Sequence, residues 1–222
     1  KQKTAYEIVS RDWSSACALP IYALLNSAAS NLTAVGMYAL YSNTTGSTNT
    51  AVGYQALYAN TTGQGNTAVG YQSLPNTTTG SYSTTMGLFA GNYNVAGGYN
   101  VAIGWAANFN NVNGNYNVAV GVQALNSSTA TYNTAVGYQT LYNNTTGEYN
   151  TAIGFQTLVN NTTGIRNTAV GGISLFSNTV GSYNTGLGFY ALYYKYFNLK
   201  VRLCLYYVPA KFHIFFHIKT PE

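Results

Sequence analysis

Two histidines, His213 and His217, stand four residues apart near the end of this 222-residue chain. On a helix that spacing would turn both imidazoles toward one metal ion. The surrounding residues read as a strand, where the two share a side but stand ~13 Å apart. Two cysteines, Cys17 and Cys204, lie near opposite ends and fit neither a metal spacing nor a disulfide framework. Glu148 is the one carboxylate between residues 32 and 192, so the paired acids of a glycosidase are missing. The glycines match neither phosphate-binding pattern in its strand-to-helix setting, and Asp-rich calcium turns are absent. No nucleophile, acid or base stands with the partners that catalysis requires. The expectation is a non-enzymatic chain with no cofactor and no metal.

One modification chemistry has candidates. N-x-S/T triplets begin at Asn31, Asn43, Asn60, Asn76, Asn126, Asn143, Asn144, Asn160 and Asn161. They would accept N-linked sugars in a chain secreted through a glycosylating pathway. Alternatively, "NTTG" is good turn chemistry copied by duplication.

The elements that would position these residues announce themselves by repetition. "NTAVGYQALYANTTGQG" (residues 49–65) is followed directly by "NTAVGYQSLPNTTTGSY". Ten units begin at Leu32, Asn49, Asn66, Ser83, Asn100, Asn117, Asn133, Asn150, Asn167 and Asn184, each of 17 residues except the 16-residue unit at Asn117. The consensus is N-T-A-V-G-Y-Q-A-L-Y-x-N-T-T-G-x-Y, and its positions are called columns one to seventeen below. Column five is always glycine: Gly36, Gly53, Gly70, Gly87, Gly104, Gly121, Gly137, Gly154, Gly171 and Gly188. Such constancy signals a positive φ or a close approach of neighbouring backbone. Column four is always aliphatic or Met, column eight always small, and column nine is leucine except at Gly91 and Asn108.

Asn, Thr, Val, Tyr and two glycines per unit oppose a helix. "TAV" and "YQALY" suit short strands, and "NTTG" suits a turn. The fold class is therefore all-β, a parallel β-solenoid of about ten 17-residue coils, in which stacking supplies a core that no single unit owns. At ~4.8 Å per coil the rod would be ~48 Å long. Cys17 and Cys204 would then lie too far apart to bridge within one molecule and could pair only between molecules. The units that lack the column-nine leucine predict an irregularity near residues 88–110, with Trp105 and Phe109 refilling the space.

Charge follows the same logic. Charged residues make up 6% of the chain, because a charge repeated down a column would face its own kind, whereas Asn and Gln form amide ladders and tyrosines stack. Of the net +5, the first 31 residues carry +1 and the last 30 carry +4, while Glu148 and Arg166 cancel in the body. No basic stripe runs along that body, which argues against nucleic acid. No run of 18 apolar residues exists, so no membrane-spanning helix is expected. Lacking an initiator Met and a secretory signal, the chain reads as a processed form or a piece.

Three segments follow: residues 1–31, a cap or the remnant of a preceding segment; residues 32–192, the coils; and residues 193–222, a basic aromatic tail. In the tail, Leu199, Val201, Leu203 and Leu205 alternate with polar residues and Pro209-Ala210 reads as a turn, giving a β-hairpin-like element. It would cap the exposed end of the solenoid, join the next subunit in a head-to-tail filament, or rest on a membrane surface. Regular threonine columns also suit ice binding, but that needs Thr pairs on a flat strand, and "NTT" reads as a turn.

The wording "NTAVG", "NVAIG", "NVAVG" and "NTAIG", followed by a small residue, resembles the head repeats of trimeric autotransporter adhesins, and repeats of bacterial surface proteins and bacteriophage tail fibres. The resemblance covers residues 32–192. It implies a left-handed β-roll, commonly trimeric, displayed outside the cell or on a virion and used for adhesion. It also implies that columns two and four point into the coil: Thr50 and Val52, Val101 and Ile103, Val118 and Val120, Thr151 and Ile153. The family's C-terminal membrane anchor has no counterpart here. The functional expectation is an extracellular structural fibre or adhesin segment that self-associates as a homotrimer or filament. The alternative is a module whose Tyr/Asn/Gln face binds host or environmental glycans.

Overall fold

A computed structural model describes residues 22–193 and, beyond them, the backbone of a two-residue strand at Cys204–Leu205. Ten parallel three-residue strands, from β1 (Thr33–Val35) through β2 (Thr50–Val52) to β10 (Thr185–Leu187), stack in chain order as a β-solenoid. There is no helix among the described residues. Register is column on column throughout: Thr33 pairs with Thr50, Ala34 with Ala51 and Val35 with Val52. The 16-residue unit keeps it, with Val118 pairing with Thr134, because its missing residue falls at column fourteen, in an exposed turn. Residues 22–31 already form half of a further coil. There Tyr22 stacks on Tyr38 at 5.4 Å and the Leu24 amide donates to the Ala39 carbonyl.

Which side of each strand faces inward is decided by asparagine. Column-one Asn turns its amide into the coil, so the alternation of a strand puts column three inward and columns two and four outward. Ala51, Ala68, Ala119 and Ala135 are fully buried, while Val35 is 52% exposed. This reverses the orientation implied by the resemblance: Thr50, Val52, Val101, Ile103, Val118, Val120, Thr151 and Ile153 all lie on the outer surface, each half-buried except Ile153, which is exposed. Column-nine leucines reach across the interior to meet column-three alanines, and the one branched residue on the inward strand position, Thr85, is buried where column nine is Gly91.

The column-five glycines meet both reasons for their constancy. Their φ angles lie between +115° and +136°, a region that side-chain-bearing residues avoid. A Cβ on Gly36 would also fall 2.6 Å from the carbonyl oxygen of Gly53 in the next coil. Left-handed backbone is not confined to glycine. In columns seven and nine Gln139 (φ 49°) and Leu141 (φ 52°) adopt it, as do their equivalents along the rod. Each such residue costs about 1–2 kcal/mol, which the ladder of coil-to-coil hydrogen bonds on both sides offsets, for example Leu141 N to Thr157 O and Gln139 N to Val122 O.

The expected irregularity at residues 88–110 does not disturb the backbone: Met86 pairs with Ile103 and Ile103 with Val120 in unbroken register. What breaks is the leucine core. One buried cluster ends at Leu74 and a second begins at Ala90. Trp105 and Phe109 do not refill the gap. Trp105 is exposed, and Phe109 lies half-buried outside the core against the edges of Tyr93 and Phe89. Asn108 instead occupies the leucine position, buried, with its Oδ1 unpartnered. In the tail, strand β11 (Cys204–Leu205) extends the sheet parallel to β10; the expected hairpin around Pro209 lies outside the described residues.

Candidate functional site

The coils that begin at Asn49, Asn100, Asn133, Asn150 and Asn167 are each closed by a latch of two asparagines and one glycine carbonyl. Asn49 Nδ2 (column one) and Asn60 Nδ2 (column twelve) both donate to the carbonyl of Gly63 (column fifteen), at 2.7 and 3.0 Å. Asn133 and Asn144 do the same to Gly147, and Asn150 and Asn161 to Gly164. Column one then links the coils, since Asn49 Oδ1 accepts from the Asn66 amide at 2.8 Å. Column twelve links them again, with Asn60 Nδ2 donating to Asn43 Oδ1 and Asn161 Nδ2 to Asn144 Oδ1. Burial of these neutral amides is offset by the hydrogen bonds they donate, although the Oδ1 atoms of Asn60 and Asn178 are buried without a partner.

This latch decides the fate of the sugar-acceptor candidates. Asn43, Asn60, Asn144 and Asn161 are completely buried, with side-chain nitrogens inside the coil. A sugar could be attached only by opening the coil. Asn126 is also buried, donating to the Ala106 carbonyl. Asn31 and Asn76 are exposed, and Asn143 and Asn160 half-buried. The "NTTG" wording is thus latch chemistry, and the sequence reading recognised its turn without seeing its inward asparagine. Cys17, His213 and His217 lie outside the described residues, as do the side chain of Cys204 and most of the terminal segments. Among the described residues no three His, Cys, Asp or Glu side chains come together, and no helix is long and apolar enough to cross a membrane.

The outer surface divides into longitudinal stripes. Columns two and four form a Thr/Val stripe, in which column two is Thr except at Val101 and Val118, column four is Val, Ile, Met or Leu, and outward Thr pairs do not occur. Column six continues it with exposed Tyr71, Leu88, Trp105, Tyr138, Phe155 and Phe189. Column seventeen, on the other flank, is a tyrosine ladder. Tyr82, Tyr99, Tyr116, Tyr132 and Tyr149 stack in succession with ring centroids 4.9–5.2 Å apart. Arg166 takes the next rung, its guanidinium 5.3 Å from the Tyr149 ring and 5.5 Å from that of Tyr183, a cation–π arrangement that keeps the ladder continuous. A glutamine ladder runs beside column six, with Gln139 donating to Gln123 and Gln156 to Gln139.

The far side carries a furrow. Columns eleven and thirteen point outward while the column-twelve latch points inward, so two ridges flank a shallow floor. One ridge is Ser127, Asn143, Asn160 and Ser177; the other is Thr145, Thr162 and Thr179, and the space between holds about 600 Å³. Every lining side chain is neutral and polar. No family model, no curated protein and no solved structure matches this chain.

Proposed function

We propose that this chain is a non-enzymatic structural rod, an extracellular fibre or adhesin segment that associates with further copies of itself through the Thr/Val stripe. The observation that carries the reading is an outward aliphatic and aromatic surface running the length of the coils without a charge. Columns four and six together leave on the order of 1,000 Å² of apolar surface in contact with water, beyond the few hundred usual on a monomer. That area also matches the roughly 800 Å² per partner of a stable protein interface. An uncharged face admits close lateral approach of a second rod, and the resemblance to trimeric adhesin heads supports a three-fold arrangement and a place on a cell or virion surface. Lateral packing makes head-to-tail joining by the basic tail unnecessary for self-association.

Sedimentation velocity on the whole chain tests this. The native chain should sediment as an oligomer at micromolar concentration. Val69→Lys with Val136→Lys, both on the outer surface, should give a folded monomer with an unchanged far-ultraviolet spectrum. A native chain that stays monomeric at the highest soluble concentration overturns the reading.

A further inference from the structure

We propose that the furrow between columns eleven and thirteen, over the coils from Ser127 to Thr179, binds an unbranched, neutral, equatorially linked polysaccharide laid along the rod axis. The inference does not rest on self-association, because the furrow occupies different columns from the Thr/Val stripe.

Three observations carry it. First, the lining holds no ionisable group, which disfavours phosphates, acidic polymers and metal ions and leaves ligands recognised by hydroxyl and amide hydrogen bonds. Second, the two walls offer complementary groups, acceptors on one and donors on the other. Thr145 Oγ1 donates to the Thr162 carbonyl and Thr162 Oγ1 to the Thr179 carbonyl, each at 3.0 Å. With their hydrogens so engaged, these hydroxyl oxygens present lone pairs to a ligand hydroxyl. Across the furrow Asn143 Nδ2 donates to Asn160 Oδ1 at 3.2 Å and Asn160 Nδ2 to the Phe176 carbonyl at 3.1 Å, and each amide keeps a second N–H for a ligand oxygen. Third, the pattern repeats at the coil rise of ~4.8 Å, so two coils span about one disaccharide of an extended β-1,4-linked sugar chain. Successive rings of such a chain are turned over and present like groups at every second coil. An extended peptide advances ~3.3 Å per residue and falls out of step.

The furrow is also bounded. Toward the N-terminus, column thirteen holds Val95 and Val112 in place of threonine, and column eleven holds the exposed Tyr93. The uninterrupted stretch spans four coils, so about four sugar rings fill it. The interruptions also supply safe substitutions, because the fold already accepts valine in column thirteen and, at Ala59, alanine in column eleven.

The test is calorimetric titration of the whole chain with β-1,4-linked glucose and N-acetylglucosamine oligomers of two to six units. In at least one series affinity should rise with length to four units and then level off. Thr145→Val with Thr162→Val, and separately Asn143→Ala with Asn160→Ala, should each weaken the tetramer about ten-fold or more, the loss of one or two net hydrogen bonds. Val69→Lys with Val136→Lys, which breaks self-association under the preceding proposal, should leave sugar binding unchanged. Failure of every oligomer to bind at millimolar concentration overturns the furrow proposal and leaves the rod proposal standing. So does binding that survives both furrow variants, or that is lost instead on Tyr116→Ala with Tyr132→Ala.

Discussion

At the scale of the residue, the molecule is governed by asparagine more than by any apolar side chain. Asn150 Nδ2 donates to the Gly164 carbonyl at 2.8 Å while its Oδ1 accepts from the Asn167 amide at 2.9 Å. Asn150→Ala leaves the buried Asn167 amide without an acceptor, a cost of about 1–3 kcal/mol, and removes one of the two donors to the Gly164 carbonyl, which Asn161 still caps. Urea denaturation should show a loss of about 2 kcal/mol, and a loss below half of that would show that water enters the coil. Asn108 is the counter-case. It occupies a leucine column with φ 51°, matching the 52° of Leu125, and its Oδ1 is buried without a partner. Asn108→Leu removes that unpaired oxygen and extends the C-terminal leucine run one coil toward Gly91, a position that Leu74 and Thr85 approach closely. The expected outcome is a gain of about 1–3 kcal/mol in the same measurement. An unchanged or lower midpoint would mean that the room beside Gly91 is too small for a leucine.

At the scale of the element, the strand triplet and the glycine that ends it form one device. Gly137 has φ +131° and a Cβ there would strike the carbonyl of Gly154. Gly137→Ala therefore combines backbone strain of about 1–3 kcal/mol with a clash against a neighbour that cannot move without shifting its own ladder. Since coils contact only their neighbours, such a fault divides a one-dimensional stack. Hydrogen exchange should show amides near Thr134–Ile153 losing protection before those of distant coils. Gly172→Ala is the control, with ordinary φ and a Cβ whose close neighbour is the Phe189 side chain, at 3.1 Å. Apart from its chain neighbours, the nearest backbone atom is the Phe155 carbonyl oxygen, at 3.9 Å. Equal loss of protection in both variants would refute the argument. The constant glycine was readable because only backbone geometry forces ten identical residues. The "TAV" triplets and their register were readable from the period, whereas "YQALY", which also suits a strand by residue type, forms turns because its column-seven and column-nine residues take left-handed backbone. The facing of "TAV" was not, since valine is more apolar than alanine and a three-residue strand carries no alternation long enough to fix its parity. Parity comes from the inward asparagine at column one, whose role depends on a glycine carbonyl fourteen residues on. Left-handed backbone at Gln139 and Leu141 was equally hidden, because neither residue type favours it and only the stacked neighbours impose it. The furrow was hidden for the same reason as the strand parity: it exists because column twelve turns in.

At the scale of the whole molecule, the rod is an assembly of neutral ladders with its charge kept at the ends. Between residues 32 and 192 Glu148 and Arg166 are the only Asp, Glu, Lys, Arg or His side chains. Glu148 accepts from the Thr131 hydroxyl and Arg166 donates to the Tyr183 hydroxyl, so each is absorbed into its own column. Stability changes with pH only where folded and unfolded chains bind different numbers of protons, and it changes with simple salt only where charges interact within a screening length. Along the coils only the oppositely charged Glu148 and Arg166 are concerned, on adjacent coils where the Arg166 amide donates to the Glu148 carbonyl, and a surface pair of that kind contributes about 1 kcal/mol at most. Chemical denaturation should therefore give a free energy that varies by less than about 1 kcal/mol between roughly pH 5 and 9, and between low and high sodium chloride. The terminal segments hold both histidines and most of the charge, so a pH dependence near neutrality would enter from them. A transition that shifts steeply near pH 6–7, the range in which histidine titrates, would mean that the tail bearing His213 and His217 unfolds together with the coils as one cooperative unit. Removing residues 196–222 should then abolish the shift; a shift that survived the truncation would have to originate among the coils and would break the argument from their neutrality.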